Sequence, residues 1–171
     1  IILNMDNTYV PKKLIVPFME TVHDRIMLEL FRGCIRGCRF CQAGYIYRPV
    51  RERSVDKLVE TAGECIKNTG YEEMSMSSLS TSDYTDLDEL TNKLLDITVD
   101  KRINLSLPSL RVDNFSMELM KKVQKVKKSG LTFAPEAGTQ RLRDVINKNV
   151  LESDLIRTSN IAFRGGYNRI K

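Results

Sequence analysis

Hydrophobic and polar positions along this chain switch between the period of a strand and the period of a helix. Residues 26–31 form a short apolar run interrupted only by Glu29, which predicts a strand buried on most of its surface. From Ser54 the period becomes 3.6: Val55, Leu58, Val59, Ala62, Cys65 and Ile66 share one face, with Ser54 placed as N-cap and Gly70 as stop. Residues 73–80 alternate Met74, Ser75, Met76, Ser77, a second strand whose small side chains leave room for a ligand. Thr85 and Asp88 have capping-box spacing ahead of a helix carrying Leu87, Leu90, Leu94 and Leu95. Residues 103–107, closed by Pro108, predict a third strand; Ser116 then caps a helix running to Lys128 and ended by Gly130. Residues 131–134 predict a fourth strand, Thr139 caps a helix with Leu142, Val145 and Ile146, and a last helix over 155–163 stops at Gly165 and Gly166.

A chain that repeats β then α builds parallel strands joined by right-handed crossovers, so the fold class is α/β. Strand starts near 26, 74, 103 and 131 predict another at 169–171, and 171 residues are too few for a closed eight-stranded barrel. Residues 1–24 carry Pro11 and Pro17 without a clear period and read as an extended lead-in from an upstream domain, leaving 25–171 as the α/β core. In such folds functional groups gather in the loops after the strands. Here those loops are 32–44, 80–83, 108–111 and 135–138.

Composition adds bounds. With 42% hydrophobic and 29% charged residues the chain is an ordinary single domain with a packed core. No apolar run approaches the ~20 residues of a membrane span, and no signal peptide stands at the front, so we expect a cytoplasmic protein with reduced thiols and no membrane partner. The first residue is not Met and the end has no polar tail, which reads as a piece of a longer protein. The net charge of +5 concentrates at Arg32, Arg36, Arg39, Arg48, Arg51 and Arg53, making RNA a candidate partner. The same arginines could balance an anionic cofactor or stay solvated. Lys121, Lys122, Lys125, Lys127 and Lys128 lie opposite Leu119, Met120, Val123 and Val126, as a solvated helix face would.

The chemistry lies in Cys34, Cys38 and Cys41, three of the four cysteines within eight residues, among glycines and arginines rather than core residues. Thiolates so spaced can converge on a soft metal centre, zinc, copper or iron-sulfur. Structural zinc usually takes four ligands, and only His23 and Cys65 remain as distant candidates. His23, the lone histidine, reads as structural, and Cys65 as a core thiol on its helix stripe. A [4Fe-4S] cluster usually takes four cysteines; three would leave one iron open to a ligand.

The motif Cys34-x-x-x-Cys38-x-Phe40-Cys41, opening directly after an apolar run, resembles the signature of the radical S-adenosylmethionine (SAM) superfamily. The resemblance implies a partial TIM-like barrel, a truncated (βα)6 core with about four parallel strands here. It implies a [4Fe-4S] cluster on Cys34, Cys38 and Cys41, whose fourth iron is chelated by SAM, and an external one-electron reductant that drives cleavage to a 5′-deoxyadenosyl radical. Phe40 is expected beside cluster and adenine, and Ser80 near the SAM amino group, although 79–82 depart from the family's Gly-Gly-Glu-like segment. Ser109 and Arg111 resemble residues of methylthiotransferase-like relatives, Arg111 facing the methionyl carboxylate. Glu136, in a Pro-Glu-x-Gly-like segment, is expected on the ribose; otherwise it serves the helix N-terminus behind it. The wording of 41–54 is similar to a branch whose module often follows a cobalamin-binding-like domain, making cobalamin a candidate cofactor of the parent protein. Methylthiolation or cobalamin-linked chemistry would follow, on a substrate no residue here reads out. The competing reading is an iron-sulfur electron-transfer or RNA-binding module without SAM cleavage.

Overall fold

The computed structural model describes residues 2–108, 110–124, 126–127 and 130–171. Its centre is a parallel sheet in the order β1 (Ile26–Glu29), β4 (Glu73–Ser77), β5 (Asn104–Ser106), in register Ile26 to Met74 and Met74 to Leu105. Beyond it Leu131 bridges Ile170 in parallel, with Phe133 N–H donating to the Lys171 carbonyl at 2.8 Å and Lys171 N–H to that of Leu131 at 3.0 Å. The fourth strand expected over 131–134 is thus present as a bridge, and the segment it meets is the one expected at 169–171.

Alternation in β1 decides where the core lies. Ile26 and Leu28 are fully buried, while Met27 between them is 49% exposed on the opposite face. Helices α2 (Val55–Thr69) and α3 (Leu87–Thr98) cover the buried face, and Leu58, Ala62, Leu90 and Leu94 meet Met74, Met76 and Leu105 there. Each such Leu or Met side chain contributes about 1.5–3 kcal/mol when fully buried, an upper bound for a compact unfolded reference.

The caps follow local chemistry. Ser54 accepts from Lys57 N–H, Gly70 closes α2 at φ 70°, Ser116 accepts from Leu119 N–H ahead of α4 (Met117–Val123), and Thr139 from Leu142 N–H ahead of α5 (Gln140–Val145). The capping box at Thr85 does not form. Asp86 is the N-cap of α3, and Thr85 N–H goes instead to Glu52 Oε1 at 3.2 Å. Helix α4 ends at Val123 rather than Lys128, because Gln124 leaves the helix and its side chain bonds the Tyr167 hydroxyl. Lys125 and Lys128 lie outside the described residues. The last helix, α6, spans Glu152–Arg164 and ends at Gly165.

The apolar run 26–31 is divided. Leu30 donates its N–H to Ser77 and accepts from Arg53 N–H, so the chain leaves β4 and turns to a new neighbour. Its continuation, β2 (Phe31–Arg32), pairs antiparallel with β3 (Arg51–Glu52) and closes the intervening cysteine loop, which carries the short helix α1 (Ala43–Ile46), at its base. The segment read as a lead-in lies across α2. Met5 is buried and its carbonyl accepts from Arg53, Asp6 accepts from Ser54 N–H at 2.9 Å, and Asn68 donates to the Lys12 carbonyl at 3.1 Å. No described helix is long and apolar enough to cross a membrane.

Candidate functional site

The cysteine loop begins on Gly33, whose φ of 98° suits a residue without a side chain. A Cβ there would fall 2.4 Å from the Tyr47 carbonyl oxygen and 3.0 Å from that of Pro49. Gly37, at φ 65°, bends the loop again, and Cys41 N–H donates to the Cys38 carbonyl at 3.1 Å to turn the chain into α1. The far side of the loop is pinned by the end of α5: Arg39 N–H donates to the Ile146 carbonyl at 2.9 Å, and Asn147 Nδ2 to that of Gly37 at 2.9 Å.

Cys34, Cys38 and Cys41 line one cavity of about 280 Å³. Of the other residues singled out in the sequence, Phe40, Ser80, Arg111 and Glu136 line it too; Ser109 lies outside the described residues. These come from the loops after β2, β4 and β5 and from the segment after Leu131. Among the described residues no three His, Cys, Asp or Glu side chains converge as donors to a single metal ion would. The three thiols that line the cavity are soft donors of the kind that zinc, copper(I) and iron-sulfur centres take. Cys65 stands apart in the core beneath residues 5–14, its Sγ 3.8 Å from the Pro11 carbonyl; burial raises its pKa and keeps it a thiol.

Ser80 is 3% exposed and its hydroxyl makes no hydrogen bond of ordinary geometry, although it lies close enough to favour the Asp83 carboxylate. A buried unsatisfied hydroxyl on a cavity wall is a group whose partner a ligand can supply. Beside it runs a chain of charge. Arg36 donates from Nε to Asp83 Oδ2 at 2.7 Å, and its Nη1 lies 3.5 Å from Asp113 Oδ2. Burial acts to raise the Asp83 pKa, but the Arg36 guanidinium, the Ser80 hydroxyl and the Arg111 charge together outweigh it and hold the carboxyl below its usual range. The Asp83 hydrogen bond in turn raises the Arg36 pKa. Arg36 N–H also donates to Cys34 Sγ at 3.5 Å.

Arg111 is placed on the cavity wall with its fork engaged: Nε and Nη2 donate to Asp113 at 2.9 and 3.0 Å. Glu136 occupies a left-handed conformation, φ 69°, and receives Lys148 Nζ at 3.1 Å. Lys148 was not singled out in the sequence. Its signal is the run Asn147, Lys148, Asn149 after an amphipathic helix, since asparagine is the non-glycine residue best suited to the left-handed turns found on both sides of it, φ 56° and 50°.

The six arginines that made RNA a candidate partner all have internal partners. Arg32 and Arg53 pair with Glu29, Arg36 with Asp83, Arg39 bonds the Val145 carbonyl, Arg48 that of Gly44 and Arg51 those of Pro49 and Ile2. His23 contacts Arg25 at 3.0 Å.

The Radical SAM superfamily model matches residues 28–171, and the chain belongs to that superfamily. It is 38% identical over 145 residues to an uncharacterized protein, MJ0966, of Methanocaldococcus jannaschii, covering 85% of this chain and 31% of that protein. From the same organism, the protein named "Putative methylthiotransferase MJ0865" is 25% identical over 126 residues, covering 68% of this chain and 27% of its own. Among solved structures, the cobalamin-dependent S-adenosylmethionine radical enzyme OxsB aligns over 85% of this chain and 23% of its own at 17% identity. Its TM-score is 0.62 in the apo form and 0.60 with aqua-cobalamin and S-adenosylmethionine bound. The chain therefore spans about a third or less of the length of each of these relatives.

Proposed function

We propose that residues 25–171 are the N-terminal part of a radical SAM catalytic core in which Cys34, Cys38 and Cys41 hold a [4Fe-4S] cluster and the adjoining cavity takes SAM. The observation that carries this reading is the convergence of the three thiols with residues from three further loops on one 280 Å³ cavity. The donor set fits such a cluster: three soft sulfurs from one loop line one cavity.

When bound, cluster and SAM together supply reductive cleavage to methionine and a 5′-deoxyadenosyl radical, with the electron from an external donor. The protein binds and orients. Ser80 Oγ, which makes no hydrogen bond of ordinary geometry, meets the SAM amino group, Glu136 the ribose hydroxyls, and Phe40 offers an aromatic wall to cluster and adenine. Arg111, on the same wall, brings positive charge to the side of the methionyl carboxylate. In the parent protein the likeness in fold to OxsB supports cobalamin as a further cofactor, and the likeness in sequence to MJ0865 supports methylthiolation. Cobalamin retained by the intact protein through purification would favour the first.

The test is anaerobic reconstitution with iron and sulfide, followed by EPR of the reduced protein with and without SAM and assay of 5′-deoxyadenosine under dithionite. The expected result is a cluster signal that SAM alters. A signal indifferent to SAM would make the chain an electron-transfer module, and stoichiometric zinc without acid-labile sulfide a structural one.

A further inference from the structure

We propose that Lys148 binds the carboxylate of SAM, exchanging Glu136 for it; the inference rests on the functional reading above. On charge alone Arg111 would come first, since a guanidinium fork matches a carboxylate. Its fork, however, is closed on both oxygens of Asp113, and Nη2 also donates to the Lys148 carbonyl at 3.1 Å. To be gripped by the same fork a second carboxylate would have to displace Asp113, which Arg36 flanks at 3.5 Å; short of that it meets Arg111 only end-on, at Nη1.

Lys148 has an easier exchange. Its side chain is 14% exposed and lines the cavity, with Nζ 5.9 Å from the centre of the Phe40 ring. Its partner Glu136 is 37% exposed, and a single contact to a carboxylate that open to water holds weakly. An ammonium carries three donors, so exchange need not leave it bare. Its root is fixed. Lys148 N–H donates to the Arg143 carbonyl at 2.9 Å, its own carbonyl is held by Arg111, and left-handed Asn147 and Asn149 stand on either side.

The exchange also frees Glu136. SAM carries a carboxylate for the lysine and a ribose diol for the glutamate, so one ligand replaces the contact between the two with a contact to each. A molecule with only one of these groups would break the pair without satisfying both halves.

Equilibrium dialysis on the anaerobically reconstituted protein compares SAM with decarboxylated SAM, which lacks only the carboxylate. Wild type is expected to bind SAM at least tenfold more tightly. Lys148→Met should lower this ratio at least fivefold, chiefly by weakening SAM, the part that remains being the carboxylate's bond to the open iron, and Lys148→Arg should restore most of the loss. Iron content and the visible spectrum of each variant check that the cluster is loaded. Glu136→Gln tests the exchange independently, because freeing the lysine beforehand should raise the SAM to decarboxylated SAM preference even as both affinities fall. A wild-type ratio in Lys148→Met, or a lowered one in Glu136→Gln, overturns the proposal. Wild-type protein that binds neither compound overturns the functional reading itself.

Discussion

Arg36 and Asp83, 47 residues apart, form an ion pair that ties the cysteine loop to the turn after β4. The pair continues through Asp113 to Arg111, so the loops following β2, β4 and β5 are joined by one string of alternating charge. Such a string fixes relative position more than it adds stability, because desolvation offsets much of the attraction.

The string predicts a pH dependence. Asp83 has a folded pKa below its unfolded value near 3.9, so its contribution is complete above that pH and is lost as pH falls through the lower folded value. Wild-type stability should decline below about pH 4, and Asp83→Asn should decline less steeply while losing roughly 1–3 kcal/mol at pH 7. Urea unfolding midpoints from pH 3 to 7 check this; parallel curves would remove Asp83 from the account.

At Gly33 the objection to a side chain is entirely backbone. An added Cβ meets Tyr47, Pro49 and Val50 main-chain atoms at 2.4 to 3.0 Å, and φ is 98°. Gly33→Ala is expected to lose about 3 kcal/mol, lowering Tm by roughly 6–12 °C and reducing iron uptake. Gly63, inside α2 with open space around it, is the counterpart: Gly63→Ala should gain about 0.5–1 kcal/mol and load iron normally. Thermal unfolding and iron analysis of both proteins decide.

The four cysteines should separate cleanly. Serine at Cys34, Cys38 or Cys41 is expected to abolish stable cluster loading, whereas Cys65→Ala should retain full iron and sulfide and lose about 1 kcal/mol from the core. Equal iron loss in the Cys65 variant would place that thiol at the metal.

Asn147 combines a left-handed backbone with a hydrogen bond to the Gly37 carbonyl. Asn147→Ala gives up the bond and strains the turn, together about 2 kcal/mol. We expect its reconstituted cluster to bleach in air several-fold faster than wild type, since the loop is less firmly held. Unchanged bleaching would mean that Arg39 and its bond to Ile146 hold the loop without help.

Much of this was legible in the sequence, for identifiable reasons. Ser54, Ser116 and Thr139 cap as expected because a cap is a contact within three residues. Thr85 misled because its N–H is claimed by Glu52, 33 residues earlier. The β2–β3 pairing could not be read, since two residues on each side carry no period and Leu30 sets the break by choosing new neighbours. The cavity-lining Phe40, Ser80, Arg111 and Glu136 were found because loops after parallel strands share an end of the sheet. Lys148 was missed because it reaches that end from a helix terminus. Asp113, two residues from Arg111, was in plain view; sequence could have shown that the arginine had an acid beside it.

The hydrogen bond from Asn147 to Gly37 reaches back over 110 residues. At about 5–20 residues per second, the ribosome delivers that anchor roughly 5 to 20 seconds after the cysteines. Throughout that interval β3 and Asp83 can already grip the near side of the nascent loop, and the arrival of α5 fastens the far side last.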